Sequence, residues 1–226
     1  MKFLQNILLL LATIIILVFF SEFSVRYVFR DITTTSNMQS WFGKRWKANN
    51  VERNSYRMRE RDFDPVKQSG RPRIAVIGDS FSFGQGLALE QRYSNILETL
   101  LNARGRSVEI LNFAVPGMET TRELELFQDT VLPLEPDAVI LQWLPNDFED
   151  PFGGAVPYAD TLVSDRSIHR WLFSNSVLYF LLNQQWKNFR ISSGKEDSYE
   201  DYLRQSIHPS SEGYQQKKAA FTQFVT

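Results

Sequence analysis

The chain of 226 residues contains no cysteine. That absence excludes disulfides, thiolate metal sites and cysteine nucleophiles together, and it is compatible with either side of a membrane. Histidine is nearly as scarce. Only His169 and His208 are present, which argues against a histidine-rich metal centre. Neither sign of charge dominates: 25 Lys and Arg stand against 26 Asp and Glu, a formal net charge of -1. Such a balance gives no global pull toward nucleic acid or acidic substrates, so any electrostatic steering must be local. Phosphate-loop signatures are missing too. Gly78, Gly84 and Gly86 do not fit Gly-x-Gly-x-x-Gly, and no Gly-Lys-Ser/Thr follows, so nucleotide binding fails on detail. What remains is an ordinary globular balance, 43% hydrophobic and 23% charged. The length holds a membrane or leader segment plus one domain whose core needs no staples.

Phe3, Leu4 and an uncharged apolar run from Ile7 to Phe20 open the chain. A helix from Phe3 to Phe20 reaches about 27 Å, close to a bilayer's hydrocarbon thickness. The exit, Phe19-Phe20-Ser21-Glu22-Phe23, offers no small-x-small cleavage signature, so an uncleaved anchor is expected rather than a cleaved leader. Lys2 on one side and Arg26 and Arg30 on the other nearly tie the positive-inside count. A long following domain translocates regardless of such charges. The expectation is a single-pass membrane protein with its domain outside the cytoplasm, periplasmic or extracellular.

Trp41 to Arg73 carries ten basic residues, among them Lys44, Arg45, Arg59 and Arg73, against the acids Glu52, Glu60, Asp62 and Asp64. With Trp41 and Trp46 among them, the stretch reads either as a juxtamembrane segment resting on anionic headgroups or as a solvated connector. Gln68-Ser69-Gly70-Arg71-Pro72 punctuates the chain and marks the expected domain boundary. The organisation read from the sequence is therefore an anchor over 1–22, a basic connector over 23–72 and a domain over 73–226.

Ile74 to Ile77 reads as a short buried strand stopped by Gly78, which leaves Asp79 and Ser80 at its tip. Tyr93, Ile96, Leu97, Leu100 and Leu101 recur at helical spacing, with Gly105 to end the helix. Val108 to Val115 is a second strand, broken by Pro116-Gly117. Thr120 and Glu123 form a capping box for a helix carrying Leu124, Phe127 and Val131 inward, stopped by Pro133 and Pro136. Ala138 to Trp143 is a third strand, ending at Leu144-Pro145-Asn146-Asp147. Strand, helix, strand, helix, strand at this spacing predicts an α/β fold with a parallel sheet and right-handed crossovers. All strands then exit at one edge, where Ser80, Gly117 and Asn146 converge. A hydroxyl, an approachable glycine N–H and an amide donor are the parts needed to attack an acyl carbon and hold the oxyanion. Taken singly, each also fits an idle turn or cap.

Gly78-Asp79-Ser80, the block from Asn112 to Gly117 and Asn146-Asp147 resemble the first three blocks of the SGNH/GDSL hydrolases. The resemblance spans roughly Arg73 to Asp147. It implies a flavodoxin-like three-layer α/β/α sandwich, here preceded by an N-terminal transmembrane helix, and serine-dependent hydrolysis or transfer of acyl esters. By motif it assigns the nucleophile to Ser80 and the oxyanion hole to the Ser80 and Gly117 N–H groups and the Asn146 side chain. No metal or organic cofactor is implied. The partners expected are an acyl-ester substrate, such as an acylated glycan or lipid, and the membrane, with no nucleic acid. One departure is Leu144, where the family usually has glycine two residues before the asparagine. The alternative reading is a non-catalytic, membrane-tethered binding or scaffold module that kept the fold.

The family's base comes from a late Asp-x-x-His block. His208 looks like it, yet Gln205 stands where the aspartate is expected, and no strand-like run lies between Asp147 and His208. Ser167 to Arg190 reads as one long helix containing His169, and Ser211 to Val225 as an amphipathic helix. The latter resembles the helix that precedes a further strand and the catalytic histidine in anchored relatives. The expectation is a C-terminally truncated fragment, with His208 as the alternative base and His169 a weaker candidate.

Overall fold

The computed structural model describes residues 2–30, 37–144, 167–196, 198 and 212–225. In chain order these form helices α1 (Lys2–Val28) and α2 (Trp41–Asn50), strand β1 (Arg73–Ile77), helices α3 (Ser80–Phe83) and α4 (Tyr93–Ala103), and strand β2 (Glu109–Asn112). Helix α5 (Thr120–Leu126), strand β3 (Ala138–Leu141) and helices α6 (Ser167–Asn175), α7 (Val177–Ser192) and α8 (Glu212–Val225) follow. They divide into two compact units. One contains the residues up to Arg45 with α6 and α7; the other runs from Trp46 to Leu144 and includes α8.

The second unit is an α/β sandwich. Its sheet has the order β2-β1-β3 with both pairings parallel, Val76 facing Asn112 on one side and Ile140 on the other. Alternation along β1 sorts its side chains between two faces. Ala75 and Ile77 join Leu111, Phe113, Val131 and Leu134 in one buried cluster, against which Phe127 and Phe224 also pack. Ile74 and Val76 face the other way, toward Val108, Ile110 and the α4 residues Leu97 and Leu101. Helical layers thus cover both faces, as expected from the sequence. β2 and β3 are the outer strands of the described sheet.

Local details depart from expectation where a polar side chain takes over the backbone. β2 is regular only to Asn112, whose side-chain oxygen accepts the Ala114 N–H at 3.0 Å, while Phe113 and Val115 still donate to the Val76 and Gly78 carbonyls. The cap of α5 is Glu119, whose carboxylate accepts the Thr121 and Arg122 N–H groups at 3.0 Å each; Thr120 is already helical. α4 ends as predicted. Arg106 and Gly105 donate to the Leu101 and Asn102 carbonyls, and Gly105 has φ +77°, a Schellman ending.

From Trp46 onward the basic stretch is folded into the sheet's own unit. Trp46 is buried against Phe83, with the Arg59 guanidinium 4.9 Å above its ring, so it is not a membrane-interface residue. Arg73 is also buried, held by Glu109 at 2.7 Å and by the Asp64, Pro65 and Leu134 carbonyls. The expected boundary at 68–72 therefore does not detach this stretch from the sheet.

In the first unit, α1 has 27 residues and is long and apolar enough to cross a membrane. Its residues from Lys2 to Phe20 are exposed; partial burial begins at Ser21. The single helix expected over 167–190 is two helices, broken at Ser176. The Ser176 hydroxyl caps α7 by accepting the Tyr179 N–H at 3.0 Å. Glu22, on the last turns of α1, completes that cap. Its carboxylate accepts from the Ser176 hydroxyl at 2.7 Å and from the Val177 and Leu178 N–H groups at 2.9 and 3.0 Å. Arg26 pairs with Glu22 and donates to the Asn175 carbonyl at the end of α6. A small aromatic cluster of Phe29, Phe42, Phe173 and Phe180 packs beside this junction.

Candidate active site

β1 delivers its chain to the carboxyl edge of the sheet, and Gly78 makes the turn that follows. The constraint at Gly78 is space: a Cβ there would lie 2.7 Å from the Ser82 Oγ and 2.9 Å from the Gln142 Oε1. Asp79 is fully buried and caps α3, its Oδ1 accepting the Phe81 N–H at 2.9 Å. Ser80 is the first residue of that helix and half-buried, with its hydroxyl 3.4 Å from the Asp79 Oδ2. Phe81 beside it is exposed.

Gly117 follows β2 at the same edge. Val115 ties its loop to the first strand by donating to the Gly78 carbonyl at 3.0 Å. Met118 then closes a turn onto the Val115 carbonyl at 3.1 Å, with Pro116 and Gly117 at the centre. Gly117 has φ +73°, and a Cβ there would meet nothing within 4 Å. Glycine is required here by backbone conformation, as the third position of a type II turn demands. Ser80 and Gly117 thus lie in the segments that follow two hydrogen-bonded neighbouring strands. Asn146, Gln205 and His208 lie outside the described residues. His169 is on α6 in the other unit, its Nδ1 within 2.8 Å of the Tyr179 hydroxyl and its ring edge-on to Phe173. Those contacts give it a structural role.

Behind Ser80 lies a support that the sequence reading did not include. The Tyr93 hydroxyl meets the Ser82 Oγ at 2.7 Å, and Ser82 donates to the Gln142 Oε1 at 3.0 Å from its hydroxyl and 3.2 Å from its N–H. Burial pushes the Tyr93 phenol above its usual range. The far end of α3 is held by Arg59, which donates to the Phe83, Gly84 and Leu87 carbonyls at 2.8, 3.0 and 2.7 Å. These are the carbonyls that a helix end leaves without partners. Burial, with Arg92 nearby, lowers Arg59 to about 10. Arg92 is itself buried and paired with Glu60 at 2.8 Å, and the same Glu60 oxygen accepts the Asn112 N–H at 3.1 Å. Asn112 closes the network by donating to the Ser82 carbonyl at 2.8 Å and the Ser94 hydroxyl at 2.9 Å. One signal for this support was available in the sequence: Gln142 interrupts an otherwise apolar strand run.

Downstream of Gly117, Glu119 forms a buried ion pair with Lys217 of α8. Burial lowers the Lys217 ammonium to about 8. Among the described residues no group of three or more His, Cys, Asp or Glu is arranged to hold a metal ion.

Comparison with known proteins gives partial likenesses. No family model matches the chain, and no curated relative does. Among solved structures, the chain is similar to TesA, with 24% identity over 34% of this chain and 42% of that one, at a TM-score of 0.32. It is also similar to AlinE4, described as an SGNH-hydrolase family esterase, with 30% identity over 36% of this chain and 44% of that one, at a TM-score of 0.31. A variant of the same esterase gives the same values. The likeness spans less than half of each of these structures.

Proposed function

We propose that this chain is a membrane-anchored serine acyl-ester hydrolase or acyltransferase with Ser80 as its nucleophile. The observation that carries the reading is the position of Ser80. It opens a capped helix at the tip of the central strand, at the same sheet edge as the loop in which the positive-φ Gly117 follows the neighbouring strand. In open α/β sheets this edge is where ligands bind.

In the proposed reaction the Ser80 Oγ attacks the acyl carbon, its proton passes to a general base and the alcohol departs. Water or a second hydroxyl then takes the acyl group from the serine, giving hydrolysis or transfer. The oxyanion is held by the Ser80 and Gly117 N–H groups and the Asn146 amide, each such donor being worth about 10²- to 10³-fold in turnover. The apolar α1 directs the reading toward acylated glycans or lipids near a membrane, with the catalytic unit outside the cytoplasm.

The test is labelling of the full chain by a fluorophosphonate probe, alongside turnover of a p-nitrophenyl ester. Labelling that disappears in Ser80→Ala and turnover that drops to background are expected. A wild-type chain that neither labels nor turns over ester would favour the non-catalytic binding module. His208→Ala measured in parallel identifies the base: loss as complete as in Ser80→Ala assigns that role to His208.

A further inference from the structure

We propose that the exposed face of α7 lies in the headgroup region of the bilayer that α1 enters, giving the chain a second membrane contact. The proposal rests on reading α1 as an anchor. Leu182, Trp186 and Phe189 stand at i, i+4 and i+7, one stripe of a helix, and are 60%, 59% and 55% exposed. Trp186 and Phe189 touch each other, ring centroids 5.7 Å apart. The opposite side of the same helix is the packed one: Val177 is buried, and the Phe180 ring meets Phe42 and Phe173. α7 therefore has two apolar sides, one packed within the unit and one left in the open. On α6, Ile168 and Trp171 are exposed in the same way.

Three observations point to lipid as the occupant. The first turn of α7 is capped by Glu22, two residues past the end of the apolar run at Phe20, or about 3 Å further along that helix. α7 therefore begins where α1 leaves the hydrocarbon. The exposed residues include two tryptophans, whose amphipathic rings favour the headgroup level. Between Ser167 and Glu196 the chain holds four basic residues, Arg170, Lys187, Arg190 and Lys195, and one acid, Glu196, which pairs with Arg190 at 3.2 Å; the net positive balance is complementary to anionic headgroups. An amphipathic helix with aromatic residues on one side and a basic balance suits the interface plane better than a bilayer-spanning role.

The absence of cysteine makes the test direct. Single Leu182→Cys, Trp186→Cys, Phe189→Cys, Asn188→Cys and Leu10→Cys variants of the full chain would be labelled with an environment-sensitive fluorophore. Each labelled chain is reconstituted into phosphatidylcholine vesicles with or without phosphatidylglycerol, containing lipids nitroxide-labelled either near the headgroup or deep in the acyl chain. All five positions are exposed, and circular dichroism checks that each variant folds. The probes at 182, 186 and 189 are expected to shift to the blue and to be quenched by the shallow nitroxide, more strongly with phosphatidylglycerol. The Leu10 probe should be quenched by the deep nitroxide, and the Asn188 probe by neither. If the three stripe probes behave like Asn188 while Leu10 is quenched, the anchor stands and the proposal is overturned. An unquenched Leu10 probe overturns the anchor reading and the proposal with it. Stripe probes shielded from aqueous iodide without lipid quenching assign the face to a protein contact, which also overturns it.

Discussion

Arg59 is the residue whose removal tests most directly how Ser80 is held. Its guanidinium is buried and donates to four carbonyls, those of Asn50 at 2.8 Å, Phe83, Gly84 and Leu87. Arg59→Met keeps a long apolar side chain and removes the fork together with its stacking over the Trp46 ring. A buried carbonyl left without a donor costs about 1–3 kcal/mol. The Gly84 carbonyl retains a second donor, the Leu87 N–H at 3.1 Å, so fewer than four such costs apply. Burial beside Arg92 already disfavours the Arg59 charge, and relief of that repulsion offsets part of the loss. The expected net destabilisation is about 3 kcal/mol, within the range of broken buried networks. At roughly 2–4 °C per kcal/mol for a chain of this size, the unfolding midpoint should fall by about 6–12 °C. Because the lost bonds pin the end of α3, the rate of Ser80 labelling by the fluorophosphonate should fall about tenfold through misorientation of the hydroxyl. Arg59→Lys keeps the charge without the fork and should lie between the two in both assays. An Arg59→Met chain that unfolds within about 0.5 kcal/mol of the parent and labels at the parental rate would refute the claim that this guanidinium organises the site.

Gly78→Ala and Gly117→Ala separate two reasons for glycine at one sheet edge. The first forces a Cβ to within 2.7 Å of the Ser82 Oγ and should cost about 1–3 kcal/mol by overpacking, read from a denaturation midpoint. The second meets open space and should cost only about 1–2 kcal/mol from its left-handed backbone, with Gly117→Asn milder than Gly117→Ala. Equal losses for Ala and Asn at 117 would count against the conformational reading. For Lys217, the folded value of about 8 lies below the ordinary 10.5, so the unfolded chain binds more protons between those pH values. Stability should therefore rise with pH across that window and be flat below it. A fall over the same window, in thermal midpoints measured from pH 7 to 10, would mean that attraction to Glu119 outweighs burial.

The sheet was readable from the sequence because its strands are short apolar runs ended by glycine or proline, and the turn at Gly117 because Pro-Gly admits few conformations. The surroundings of Ser80 within the described residues were legible only in part. Gly117 announces itself locally, but Gln142, Tyr93 and Glu60 reach the site through pairing between distant segments, which spacing along one chain does not encode. The basic stretch misled for a related reason. Arg59 and Arg73 carry the same letter as any solvated arginine, and only the fold shows that their guanidinium groups end on buried carbonyls. The break at Ser176 was hidden because its decisive cap, Glu22, lies more than 150 positions earlier in the chain.

The reach of Arg59 across to the Phe83, Gly84 and Leu87 carbonyls has a practical consequence. Trimming the polypeptide at the Gly70-Arg71-Pro72 turn should not yield a stable free-standing sheet unit. A protease cutting there, or a gene shortened to begin at the first strand, would discard the residues that brace the serine helix. A shortened version must start ahead of Trp46, and limited proteolysis that clips nearer the sheet should abolish the proposed labelling of Ser80 while leaving the strands paired.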